Sequence, residues 1–154
     1  MTYKKLANIK KITDPWIGTP FIQNLGIIGV GTDCRHLVNA LIEEITETKL
    51  ERSIEPIRHG HQATIYDFLD YYPSTKLNSA VKGTVIFKVI RSSPMLAMAI
   101  NQETMIMVHQ ELGVIYNRIP KDSLYYLPHC YHLGNNIQGM GNGKWVTVSR
   151  CNGC

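Results

Sequence analysis

GVGTDCRHLVNAL, residues 29–41, runs from a glycine-rich turn into an apolar helix pattern, and its reading decides the fold. Thr32 or Asp33 is suited to cap a helix, because a short side-chain oxygen can accept an orphaned N–H of the first turn. From there Leu37, Val38, Leu41, Ile42 and Ile45 recur at three- and four-residue steps, which predicts a helix over 33–47 with one apolar stripe. Glu43, Glu44 and Glu47 fall off the stripe. The cap puts Cys34 in the first turn. Such a cysteine is either a thiol favoured as thiolate by the helix N-terminus or a small buried hydrophobe.

Working outward, residues 1–13 read as an N-terminal arm. Asp14-Pro15 starts a short helix, with Asp14 as cap and Pro15 at the first position, carrying Trp16 and Ile17. Residues 19–31 read as a loop. A polar connector over 48–60 ends in Arg58-His59-Gly60-His61, and a second helix is predicted over 61–71, burying Ile65, Phe68 and Leu69.

The pattern changes at Gly83. GTVIFKVIR (83–91) is rich in β-branched residues and predicts a strand. MLAMAI (95–100) and TMIMVH (104–109) flank Asn101-Gln102-Glu103 as a hairpin, and GVIYNRI (113–119) predicts the next strand. Residues 120–143 read as loop, KWVTVSR (144–150) as a last strand, and 151–154 as a cysteine-containing tail. Helices first and an antiparallel meander second make the class α+β, with one main domain over 14–150. Met95, Met98, Met105 and Met107 are read as core filler.

The totals exclude several classes. At 154 residues the chain can bury a real core, and its 44% hydrophobic content is ordinary for a globular protein. It holds no apolar run long enough to span a membrane, and MTYKKLANIKK lacks the apolar stretch of a secretory signal. The net charge of +4 is mild and scattered, so no nucleic-acid partner is indicated. Cys34, Cys130, Cys151 and Cys154 are expected as thiols or metal ligands rather than as a disulfide framework.

WIGTPFIQNLGIIGVGTDCRHLV (16–38) resembles the NlpC-like cell-wall peptidases, a papain-fold family, most closely the type carried by phage tails and gene-transfer particles. GTVIF (83–87) and MIMVHQELGVIY (105–116) follow in the order of that family's strands. The resemblance implies N-terminal helices packed on an antiparallel half-barrel. It implies Cys34 as nucleophile, His109 as the residue orienting a general-base histidine, and substrate-binding positions at Gln23, Asp33 and Arg35. The base position, at the opening of the strand near 95–97, is occupied by Leu96, and no histidine stands between His61 and His109. Arg35 and His36 replace the family's small residues beside the thiol.

A helix terminus supplies at most about 1 kcal/mol toward the thiolate, and no acid for a leaving amine. The expectation is therefore a catalytically impaired domain in the tail tip of a phage or phage-derived particle, assembled in the host cytoplasm. Its implied partners are the tail hub, other tail-tip proteins and host peptidoglycan, with contacts made by the arm and by 120–154. The alternatives are a cysteine endopeptidase with a relocated base, His59 or His61, and a module that binds peptidoglycan peptides without cutting them. Arg58-His59-Gly60 matches a histidine-phosphatase triplet in the wrong place, and GIIGVG (26–31) is a poor dinucleotide loop. Cys151-x2-Cys154 has metal-ligand spacing, with His129, Cys130 and His132 upstream, but incidental thiols are the plainer reading and no cofactor is expected.

Overall fold

The computed structural model describes residues 4–48, 68–69 and 72–132. The predicted long helix is present as α3, Cys34–Thr46, with Asp33 as its N-cap and Glu47 closing it in the left-handed conformation. The predicted strands are present as β4 (Val85–Ile90), β5 (Ser93–Ala99), β6 (Thr104–His109) and β7 (Gly113–Arg118). Two further strands, β3 (Ser74–Leu77) and β8 (Leu124–Pro128), extend this meander into a six-stranded antiparallel sheet of order β3-β8-β4-β5-β6-β7. The class is thus α+β. The helix expected over 61–71 is described only at Phe68 and Leu69, and the strand expected over 144–150 lies outside the described residues.

Two readings are corrected. The expected arm is helical, as α1 (Lys4–Ala7) and α2 (Ile9–Thr13), and it is packed rather than free: Leu6 and Ile9 belong to the main core. Lys5 Nζ also meets Glu44 Oε1 of α3 at 2.8 Å. The 120–143 region is not wholly loop, because Leu124-Tyr125-Tyr126-Leu127-Pro128 pairs with both β3 and β4. Asp14–Trp16 forms a short turn where one was expected, but Thr13 rather than Asp14 stands at its N-cap and Pro15 is its second residue. A two-residue ladder, β1 (Gly26–Ile27) with β2 (Gly31–Thr32), lies inside the predicted loop.

The sheet has two unlike faces. Leu37, Val38, Leu41, Ile42 and Ile45 of α3 pack with Val85, Phe87, Leu96, Met98, Ile106 and Val114. Burying that helical stripe contributes on the order of 10 kcal/mol gross. The opposite face holds a smaller cluster of Ala80, Ile86, Ala97, Ala99 and Met105. Among the described residues no helix is long and apolar enough to cross a membrane.

Turn chemistry fixes the registers. Arg91 and Ser92 both have positive φ in the two-residue β4–β5 turn, the conformation that matches strand twist. Asn101 Oδ1 accepts from the N–H groups of Glu103 and Thr104, both at 2.8 Å, between β5 and β6. A three-residue loop joins β6 to β7, with His109 opposite Gly113 and Gly113 at φ 76°. A Cβ on Gly113 would stand 2.4 Å from the Thr19 carbonyl oxygen, whereas one on Gly29, also at φ 76°, would meet nothing within 4 Å. Gly29→Ala is therefore expected to cost about 1 kcal/mol from backbone strain alone. Gly113→Ala is expected to cost about 3 kcal/mol or more, because strain adds to a clash with backbone. Denaturant melts of the two variants check this difference.

Candidate functional site

Backbone hydrogen bonds fasten the segment between Trp16 and α3 to the sheet. Gly18 N donates to Val114 O at 2.9 Å and Val114 N donates to Thr19 O at 2.8 Å, so the segment lies along the start of β7. Thr19 is buried, and its Oγ1 accepts from Gly29 N at 2.9 Å, drawing the loop back on itself. Thr32 N donates to Pro20 O, and Asp33 N to Leu25 O. The Gly-Thr-Pro and glycine-rich pieces of the sequence are thus accounted for by structure.

The Asp33 side chain completes the loop. Its Oδ1 accepts from His36 N at 2.8 Å, the N-cap bond, and its Oδ2 accepts from Asn24 N at 2.6 Å. The His36 ring places Nδ1 at 2.8 Å from Oδ1, and a carboxylate only accepts, so Nδ1 carries the proton. Burial works against the charged form of Asp33. The bonds from the His36 ring, His36 N–H and Asn24 N–H outweigh it and hold the carboxyl below its usual range. Asp33, expected to bind substrate, is occupied in building the site.

Cys34 follows this cap, partly exposed and packed at the edge of the main core. The backbone N–H of Leu96 is hydrogen-bonded to its thiol, and the Leu96 side chain lies in the same α3-facing cluster. Burial pushes the thiol up and the adjacent Asp33 charge pushes the same way. The Leu96 N–H, the Arg35 charge and the Arg35 N–H pull back, leaving Cys34 at about 11 against an ordinary 9.0. The helix-terminus effect is smaller than one unit and does not reverse this. At neutral pH the group is a thiol.

The other predicted positions do not gather around the sulfur. Met105 and Met107 pack on the second face of the sheet, while Ile106 and Val108 pack toward α3. Strand alternation therefore sends His109 to the face away from Cys34. His109 Nδ1 accepts from Glu111 N at 3.0 Å and Leu112 N at 3.1 Å, which fixes the ring in the β6–β7 turn. His129 Nε2 is engaged with Thr75 Oγ1 at 2.9 Å. None of His36, His109 and His129 is hydrogen-bonded to Cys34. Gln23 is exposed, and Arg35 is partly buried on the first turn of α3. Cys130 is buried, and no group of three metal-ligating side chains is assembled among the described residues. His59, His61, Cys151 and Cys154 lie outside the described residues, as does the placement of the His132 side chain.

A second polar constellation went unread in the sequence. The Tyr116 hydroxyl of β7 donates to Asp14 and lies 2.6 Å from Thr13 Oγ1, with Lys10 Nζ 5.2 Å from its ring centre. Burial and the Asp14 carboxylate raise the phenol to about 12. The alternation of GVIYNRI marks Tyr116 as a strand residue but carries no sign of partners a hundred positions away. No family model matches the chain, and no curated protein gives a significant match.

Because Asp33 titrates below the ordinary range when folded, its stabilising contribution is complete above about pH 4 and is lost as pH falls through the lower folded value. Asp33→Ala removes the cap and orphans donors at Asn24 and His36, and is expected to cost about 2 kcal/mol at neutral pH. The gap between wild type and variant in urea melts should narrow on acidification below about pH 4.

Proposed function

We propose that this chain is a component of the tail tip of a phage or phage-derived particle, built on a degenerate NlpC-type papain-like domain whose thiol no longer hydrolyses peptides. The observation carrying this reading is the contact between Cys34 and Leu96. The strand segment beside the sulfur offers it a backbone N–H and hydrocarbon, and neither can take up and return a proton.

Thiol-dependent amide cleavage has two requirements. The sulfur must ionise before it attacks, and an acid must protonate the departing amine. A thiol at about 11 holds roughly a hundredfold less thiolate at pH 7 than one at 9.0. Cationic imidazole beside the sulfur would meet both requirements. His36, the nearest histidine along the chain, is engaged with the same carboxylate that suppresses ionisation.

The reading also draws support from the order of parts, a capped cysteine helix followed by an antiparallel sheet whose β5 reaches the sulfur. Retention of the loop, cap and helix then follows from their structural work: they close one end of the core whether or not the thiol reacts. In this role the domain is an assembly piece that joins the tail hub and neighbouring tip proteins in the virion, after assembly in the host cytoplasm.

Incubation with peptidoglycan stem and cross-bridge peptides is expected to give no cleavage above a Cys34→Ala control. Product formed by wild type and abolished in that variant would overturn the proposal. Alkylation of Cys34, followed by peptide-level mass spectrometry to separate it from the other thiols, is expected to rise toward pH 11 without a plateau near neutrality. A plateau below pH 8 would show a cationic partner at the sulfur.

A further inference from the structure

The antiparallel registers place the end of β4, the start of β5, the end of β6 and the start of β7 at one end of the sheet. Cys34 lies at this end through Leu96, and the 17–32 loop lies there through Gly18 and Thr19 bonded to Val114. Nine of the ten exposed large hydrophobic residues among the described residues, all but Val81, stand on these same elements. The loop presents Ile17, Phe21, Ile22, Ile27, Ile28 and Val30, at 37–54% exposure. The β6–β7 turn adds Leu112 at 64%, and the end of β4 carries Val89 and Ile90, which alternation sends to opposite faces of the sheet.

We propose that this end of the sheet is a self-association face, on which a second copy of the chain docks. The inference goes beyond the reading of the thiol, since an inert scaffold and a working hydrolase would carry the face equally. Two properties select a second copy as its occupant. The first is area: the six loop side chains and Leu112, whose turn packs on Thr19 and Pro20, amount at these exposures to roughly 600 Å² of apolar surface, within the range each partner gives to a stable dimer. The second is charge. A two-fold interface sets a patch against itself, so a charge near the axis meets its own like. Residues 15–32 contain no Asp, Glu, Lys or Arg. Exposed charges at this end, Arg91, Glu111, Lys121 and Asp122, sit on turns and are of both signs, as in the polar rim around an apolar interface centre.

The face is also preorganised. Loop backbone groups are bonded to one another, to Val114 and to Asp33, so docking orders little that is not already ordered.

Sedimentation equilibrium of the full chain across micromolar concentrations tests the proposal. Wild type is expected to associate into dimers. Ile28→Lys with Val30→Lys should raise the dissociation constant by about tenfold or more, with Leu112→Ser, on a separate turn, acting in the same direction. Val81→Lys, at the opposite end of the sheet, should leave it unchanged. Circular dichroism establishes that each variant is folded. A wild-type chain that stays monomeric throughout, or a dimer indifferent to both sets of loop and turn substitutions, would overturn the inference and assign the face to a different protein or to a lipid surface.

Discussion

The buried Asp33 carboxylate is the constraint on which the site depends. One side chain caps α3, holds the loop through Asn24 and fixes the His36 ring. Removing a carboxylate from water is unfavourable unless its oxygens are met by donors, and here three donors meet them. Loop and helix are therefore tied at one point, and Cys34 is placed by that point as the next residue. The same charge has an electrostatic effect on its neighbour. It disfavours the Cys34 thiolate, so the group that shapes the site also keeps its sulfur neutral. A cysteine at a helix N-terminus is reactive only when the local field favours the anion, and at this helix burial and Asp33 outweigh the dipole.

Core packing sets the other wall. Leu96 is buried, opposite Phe87 across the β4–β5 ladder, and belongs to the cluster that receives the α3 stripe. An imidazole in that place would need its own polar partner, since a buried unpaired ring nitrogen is costly. His109 does not provide one. Alternation along β6 sends it to the opposite sheet face, and its Nδ1 is committed to two N–H groups of the following turn. A histidine in place of Leu96 would stand on this strand without His109 on the same face to orient it. Among the described residues, neither the Leu96 position nor His109 thus brings an imidazole to Cys34, for two independent reasons on different faces of the sheet.

The parts of this fold that were legible in the sequence are those specified within a few residues. The α3 stripe repeats every three or four positions, Asp33 caps by local geometry, and the runs in β4 to β7 are β-branched or alternate. The strands that escaped notice depend on distant partners. Ser74–Leu77 is polar and short, and its strand character comes from pairing with β8. Leu124–Pro128 ends in proline and adjoins turn residues, which hides the aromatic β signal of Tyr125 and Tyr126. The N-terminal helices are too short to show a period, and burial of Leu6 and Ile9 with the contacts of Lys5, Lys10 and Thr13 to distant residues gives them a role. Within the site, nothing local to either segment marks the contact of Cys34 with Leu96, and the expectation that the two face each other rested on the resemblance alone. The face taken by His109 was available from strand alternation, by counting back to Met105 and Met107 on the second sheet face once Ile106 is known to meet α3.

The loop over 17–32 unites these observations. Its hydrophobic side chains would ordinarily turn inward and leave backbone groups for water to satisfy. Here the reverse holds, because Thr19, Asp33 and Val114 take up backbone partners at several points along it. With those groups satisfied from within, the side chains are displayed outward without a compensating need for polar surface. A segment so arranged is held rigid by a few internal bonds, and these are the bonds that also position the cap of α3. The geometry that fixes Cys34 therefore also presents a stiff apolar surface beside it. Rigidity of this kind favours binding, because a preordered face loses little entropy on docking.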